Sequence, residues 1–192
     1  MVDNRQDFWS VATMATLLVL AGAVTSGCTI DAATTVVEDR PFNNVIADTE
    51  TRANITKRLL GAKNNDLFFD VSADAYEGRV MLTGSVKLEG DRERAAALVQ
   101  GLRGVKIVYN EIQVSNRSGF QNTASDLWIH AKIKTKYFTE TGVKSVNLRW
   151  RVVNGTVYLL GYARSEKERK LMIALTKDTK YVTGVIEHIA VK

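Results

Sequence analysis

Apolar and polar positions along the chain follow two different periods. Around Val80-Met81-Leu82-Thr83 and Val157-Tyr158-Leu159-Leu160, Val80 with Leu82, and Val157 with Leu159, fall at alternate positions, the pattern of a strand with a buried face. Thr51, Ile55 and Leu59 recur at intervals of four, as do Ile129, Ile133 and Tyr137, which is the spacing of one helical face. These patterns predict helices near residues 47–61, 89–102, 125–138 and 164–181. They predict strands near 67–76, 79–85, 105–114, 145–153, 156–163 and 185–191. Asn154-Gly155 is a hairpin signal, because both residues tolerate positive φ. Each small sheet is expected to have one buried side, covered by its helices.

The elements form two copies of one unit. Glu77-Gly78-Arg79-Val80-Met81-Leu82-Thr83-Gly84 returns as Asn154-Gly155-Thr156-Val157-Tyr158-Leu159-Leu160-Gly161, at an offset of 77. Glu93-Arg94 and Glu168-Arg169 then mark a helix in each copy. Gly104-Val105 and Gly184-Val185 open each last strand, with the offset drifting between 75 and 80. The fold class expected is α+β: two tandem units, 47–115 and 124–192, each ordered helix, strand, strand, helix, strand, with a polar linker at 116–123. Units of about 70 residues are near the lower limit for a stable core, so packing between the copies is expected.

The N-terminus follows another pattern. Val11 to Val24 is an uninterrupted run of 14 apolar or weakly polar residues, the length of a signal-peptide core and short for a membrane-spanning helix. Thr25-Ser26-Gly27-Cys28 follows it, and Cys28 is the single cysteine. Small residues before a cysteine at such a place resemble a lipobox, in which the thiol takes up a lipid and becomes the mature N-terminus. Residues 1–27 are therefore expected to be a leader, with an uncleaved anchor as the alternative. Residues 28–46, with Pro41 and Asn43-Asn44, read as a lipidated tether.

The Gly-x-Val-x-Leu-x-Gly strand, the following Glu-Arg helix and Gly104-Val105-Lys106-Ile107-Val108-Tyr109-Asn110 together resemble BON domains. Glu187-His188 departs from the closing pattern in the second copy. A lipobox followed by two such units is similar to the outer-membrane lipoproteins of the DolP type. The resemblance implies a three-stranded sheet packed with two helices per unit and no catalysis. It also implies binding of anionic phospholipid, and a role in envelope integrity at the outer membrane, facing the periplasm. Thr29 rather than Asp after the cysteine fits outer-membrane sorting by the same resemblance.

Charge adds an independent observation. The chain carries 26 Lys+Arg and 21 Asp+Glu, a net +5. Residues 47–115 hold 10 of each sign, whereas 124–192 hold 13 basic and 6 acidic residues, net +7. The second-unit helix also differs from its counterpart. Opposite Ile129, Ile133 and Tyr137 it carries Leu127, Trp128, Ala131 and Phe138, flanked by Lys132, Lys134 and Lys136. The first unit has Thr49, Glu50, Ala53 and Leu60 there, so Trp128 stands where Glu50 does. A tryptophan among apolar neighbours with lysines alongside suits an interfacial helix. Packing against the first unit would require an apolar face equally, and the resemblance favours lipid. Asp126 or Ser125 is expected to cap this helix or act as its first-turn acid.

Other signals exclude more than they add. One cysteine and two histidines leave no metal-ligand spacing, and no phosphate loop, dinucleotide fingerprint or nucleophile elbow occurs. No cofactor is expected. His130 and His188 read as surface or core-edge residues, and Glu93-Arg94 and Glu168-Arg169 as surface charge pairs. A basic unit also suits nucleic acid, but an exported lipoprotein would rarely meet it. The competing functional classes are a module docking an envelope assembly protein and a periplasmic stress protein that binds no lipid.

Overall fold

The computed structural model describes residues 38–61, 66–115 and 124–192. The first unit runs α1 (Phe42–Leu60), a short α2 (Asp66–Asp70), β1 (Val71–Tyr76), β2 (Arg79–Val86), α3 (Glu89–Val99) and β3 (Ile107–Val114). The second runs α4 (Ala124–Thr139), a 3-10 turn (Ser145–Asn147), β4 (Leu148–Val153), β5 (Thr156–Ala163), α5 (Glu166–Lys177) and β6 (Gly184–Val191). The sheets are ordered β1-β2-β3 and β4-β5-β6. Each central strand pairs antiparallel with the strand before it and parallel with the strand after it. A parallel return requires a crossover, which α3 and α5 provide. The α+β architecture is the one the repeat implied.

Register corrects the drifting offset. Arg79 lies opposite Ile107, and Thr156 opposite Gly184, so Ile107 and Gly184 are equivalent and the offset stays at 77. The buried pairs Ala95 with Met172 and Val99 with Thr176 keep the same offset. Glu168 therefore matches Asp91 rather than Glu93, and it is buried rather than a surface charge. Its carboxylate accepts from the amides of Lys144 (2.6 Å) and Arg164 (2.8 Å) and from the Arg164 guanidinium (2.9 Å). Burial alone would raise its pKa, but these donors hold it below the ordinary glutamate value.

The predicted strands 67–76 and 145–153 begin later than expected. Residues 66–70 are helical and 145–147 form the 3-10 turn. The closing glycine of each motif is the reason. A Cβ on Gly84 would lie 1.9 Å from the Asp70 carbonyl oxygen, and one on Gly161 2.1 Å from that of Asn147. The backbone preceding each first strand crosses at these glycines.

Each sheet is buried on both faces, not one. On the helical side Ile55, Leu59, Val80, Leu82, Ala95 and Val99 form one core, and Ile133, Tyr137, Val157, Leu159 and Met172 belong to its counterpart. On the other side the two sheets face each other through Tyr76, Met81, Val153, Tyr158, Leu160 and Tyr162. The central strands thus read as nearly continuous apolar runs. Burying Leu160 here contributes on the order of 2 kcal/mol.

An ion pair and a histidine–carboxylate hydrogen bond cross this interface between equivalent positions. The Arg151 Nε donates to Asp74 at 2.6 Å, and His188 Nε2 lies 2.9 Å from Glu111 Oε1; both pairs are separated by 77 residues. Equivalent residues meeting each other is the mark of a two-fold arrangement.

The tether reading fails for residues 38–46. Arg40 is buried, paired with Glu38 and Asp48, and its guanidinium lies 4.1 Å from the centre of the Tyr76 ring. Glu38 also pairs with Arg149, and Asp39 with Lys144 and the Asn147 amide. Charged residues that reach the cleft between the units are clamped there, and α1 begins at Phe42 rather than near 47. Every partner described so far lies within residues 38–192, which supply both cores and the interface between the sheets. Cys28, the leader, residues 28–37 and the linker 116–123 lie outside the described residues.

Candidate functional site

Helix α4 is fastened on one side and open on the other. Asp126 lies in its first turn, as expected. Its carboxylate accepts from the amides of Asn154 (2.9 Å) and Gly155 (2.8 Å), at the β4–β5 hairpin. Asp48 does the same for Glu77 (2.7 Å) and Gly78 (3.0 Å) in the first unit. Ile129, Ile133 and Tyr137 face the core. The Tyr137 hydroxyl donates to the Met172 carbonyl at 3.2 Å, and burial pushes its pKa up to about 12.

Among the described residues, the first unit is met by the backs of the sheets and not by the opposite face of α4. Leu127 is 56% and Phe138 66% exposed, and Trp128 is 37% exposed. Ala131, Lys132 and Lys134 are exposed beside them. Lys132 Nζ lies 5.5 Å from the centre of the Trp128 ring. Lys136 belongs to a different arrangement. It donates to the carbonyls of Leu175 (3.2 Å) and Asp178 (2.9 Å) and to the Asp178 carboxylate (2.9 Å), closing the C-terminus of α5.

The charge excess is distributed by function. In the second unit the arginines, with Lys136, Lys144 and Lys192, have carboxylate partners. Among the described residues, Lys132, Lys134, Lys167, Lys170, Lys177 and Lys180 make no ion pair. All six lie on α4, on α5 or in the turn after α5. The helical side therefore carries the free positive charge. In the first unit that side has Glu50 on α1, with Lys57 and Arg58 at the helix C-terminus, where they offset its dipole.

Sequence reasoning missed Tyr181. Its ring meets Trp128 edge-on, with centroids 5.4 Å apart, and Lys180 Nζ lies 4.7 Å from the centre of the Tyr181 ring. The contact joins residues from two elements, so periodicity within a helix does not reveal it.

The histidines serve packing. His130 stacks on Trp150 at 5.3 Å, and burial, with Arg151 and Lys134 nearby, lowers its pKa. His188 stacks on Tyr109 at 3.7 Å. Among the described residues no group of His, Cys, Asp and Glu has the arrangement to hold a metal. Among them, too, no helix is long and apolar enough to cross a membrane.

Residues 47–116 and 125–192 each match the family described as BON domain. A protein of Anaplasma centrale, described as an uncharacterized protein in the gshII 5' region, is 34% identical over 148 residues, covering 77% of this chain and 96% of the relative. The outer membrane lipoprotein DolP of Haemophilus influenzae is 38% identical over 91 residues, and the 21 kDa hemolysin of Actinobacillus pleuropneumoniae 33% over 91 residues. These two matches each span 47% of this chain and 47% of the relative.

Proposed function

The chain belongs to the BON-domain family, as a tandem protein of the DolP type, and from that membership we propose an envelope lipoprotein whose second unit binds anionic phospholipid. In this reading Cys28 carries the lipid, the protein is held at the outer membrane facing the periplasm, and it supports envelope integrity without catalysing a reaction. The family and the printed name of the Haemophilus influenzae relative support the envelope role. The observation that carries lipid contact is the exposed face of α4: Leu127 and Phe138 in the open and Trp128 partly exposed, with Lys132 and Lys134 beside them and, among the described residues, no carboxylate on either lysine.

The mechanism follows from the two kinds of side chain. A tryptophan ring is most stable at headgroup depth, and lysine stems lie along apolar surface while their ammonium groups meet lipid phosphates. Each such lysine contributes on the order of 1 kcal/mol, less as salt rises. Acylation at Cys28 raises the local concentration of the face at the bilayer. The ten residues from Cys28 to Glu38 can span at most about 35 Å. Weak contact is then sufficient.

Sedimentation of residues 38–192 with vesicles tests the reading. Vesicles containing phosphatidylglycerol should carry the protein down, less so at high salt, and phosphatidylcholine vesicles should not. Failure to sediment with either would leave docking to an envelope assembly protein, or a stress role without lipid. The lipid at Cys28 is tested separately: Cys28→Ser should leave an unacylated protein by mass spectrometry, and an unchanged mass of attached lipid would refute it.

A further inference from the structure

The turn between α5 and β6 holds a backbone outlier that lipid contact by α4 does not explain. Tyr181 has φ +71°, in the left-handed region that strains any residue with a Cβ. Register makes Tyr181 the counterpart of Gly104, whose φ is +89°. The amides of Lys106 and Thr183, two residues further on, donate to the equivalent carbonyls of Gly78 and Gly155. The turn thus favours glycine, and the first copy has it. The second copy keeps an aromatic ring there and leaves the residue 56% exposed. A strained conformation kept for an exposed ring points to a ligand rather than to packing. Lys180 and Lys132 each stand over one ring of the Tyr181–Trp128 pair, and neither has a carboxylate partner among the described residues.

We propose that this turn is a second membrane-contact element: Tyr181 and Lys180 complete, with Trp128 and Lys132, a platform of two rings and two ammonium groups for the headgroup layer of an anionic bilayer. The proposal rests on the reading of α4 as the lipid-contact helix and extends it to a second element. Charge complementarity selects the occupant, since free ammonium groups call for anions. The rings select a bilayer over a dissolved anion, because phosphate in water would leave both rings exposed.

The test compares residues 38–192 with Tyr181→Gly, Tyr181→Asn and Trp128→Glu variants on phosphatidylglycerol vesicles, with a thermal melt of each. Glycine and asparagine both accept the left-handed conformation. Each should weaken vesicle binding by roughly fivefold, through the lost apolar contact. Tyr181→Gly should melt no lower than the parent, and up to about 3 °C higher, because strain is relieved. A ring kept for packing would do the reverse, with a lower melt and unchanged binding, and that result overturns the proposal. Parental binding by both Tyr181 variants while Trp128→Glu loses it also overturns the proposal, yet leaves the α4 reading intact. Parental binding by Trp128→Glu removes the α4 reading itself. Inorganic phosphate, at matched ionic strength, should not displace the protein from vesicles; displacement would make the ligand a free anion and overturn the bilayer assignment.

Discussion

Asp48 and Asp126 fasten the opening helix of each unit to a hairpin about thirty residues away, with two amides on each carboxylate. Removing a carboxylate strands those amides, so Asp126→Ala should cost about 2 kcal/mol in denaturant unfolding. Asp48→Ala also removes one of the two buried carboxylates on Arg40 and should cost about 3 kcal/mol; a loss under about 1 kcal/mol would show that Arg40 takes nothing from Asp48. Glu168 gives a pH dependence. Its pKa is lowered in the folded state, so its stabilisation is complete above the ordinary glutamate value and disappears as pH falls through the lower, folded one. Unfolding midpoints should therefore fall below about pH 4.5, the ordinary value, and less steeply in Glu168→Gln. A variant as acid-sensitive as the parent would contradict this. The amide contacts were not legible in the chain, because the hairpin amides and the Lys144 amide lie 24 to 30 residues from their carboxylates and an isolated acid near a helix start reads as a cap.

Elements were more legible than their ends. Val80 with Leu82 and Val157 with Leu159 identified the central strands, and the recurrence of the whole motif identified the repeat. The apolar pattern places the first strand of the first unit too early, since Leu67 and Phe69 extend it while residues 66–70 are helical and cross close to Gly84. The face of α4 was visible in its composition, but its lysines were not separable by sequence. Lys134 is exposed, whereas Lys136 closes α5. Lys134→Ala should weaken vesicle binding modestly, mostly at low salt, with unchanged unfolding. Lys136→Ala should instead lower stability by about 1 kcal/mol. The reverse assignment of the two losses would place Lys136 at the bilayer.

At the scale of the whole molecule, the copies have diverged around a two-fold interface. Asp74 and Glu111 on one side face Arg151 and His188 at the equivalent positions on the other. Pairing of two first units would set Asp74 against Asp74, and of two second units Arg151 against Arg151, so the interface selects one copy of each. Asp74→Arg should cost on the order of 2 kcal/mol, and Asp74→Arg with Arg151→Asp should recover most of it in equilibrium unfolding; no recovery would mean that the pair has no role in joining the units. This interface uses the backs of the sheets and leaves outward the helical side of the second unit, where the lysines without an ion pair among the described residues lie. The most direct measurement is vesicle sedimentation of Trp128→Glu in residues 38–192, which copies the first unit's Glu50. Loss of binding to phosphatidylglycerol vesicles at every salt concentration, with an unchanged melt, is the predicted result. Binding equal to the parent's in a folded variant would contradict membrane contact through α4.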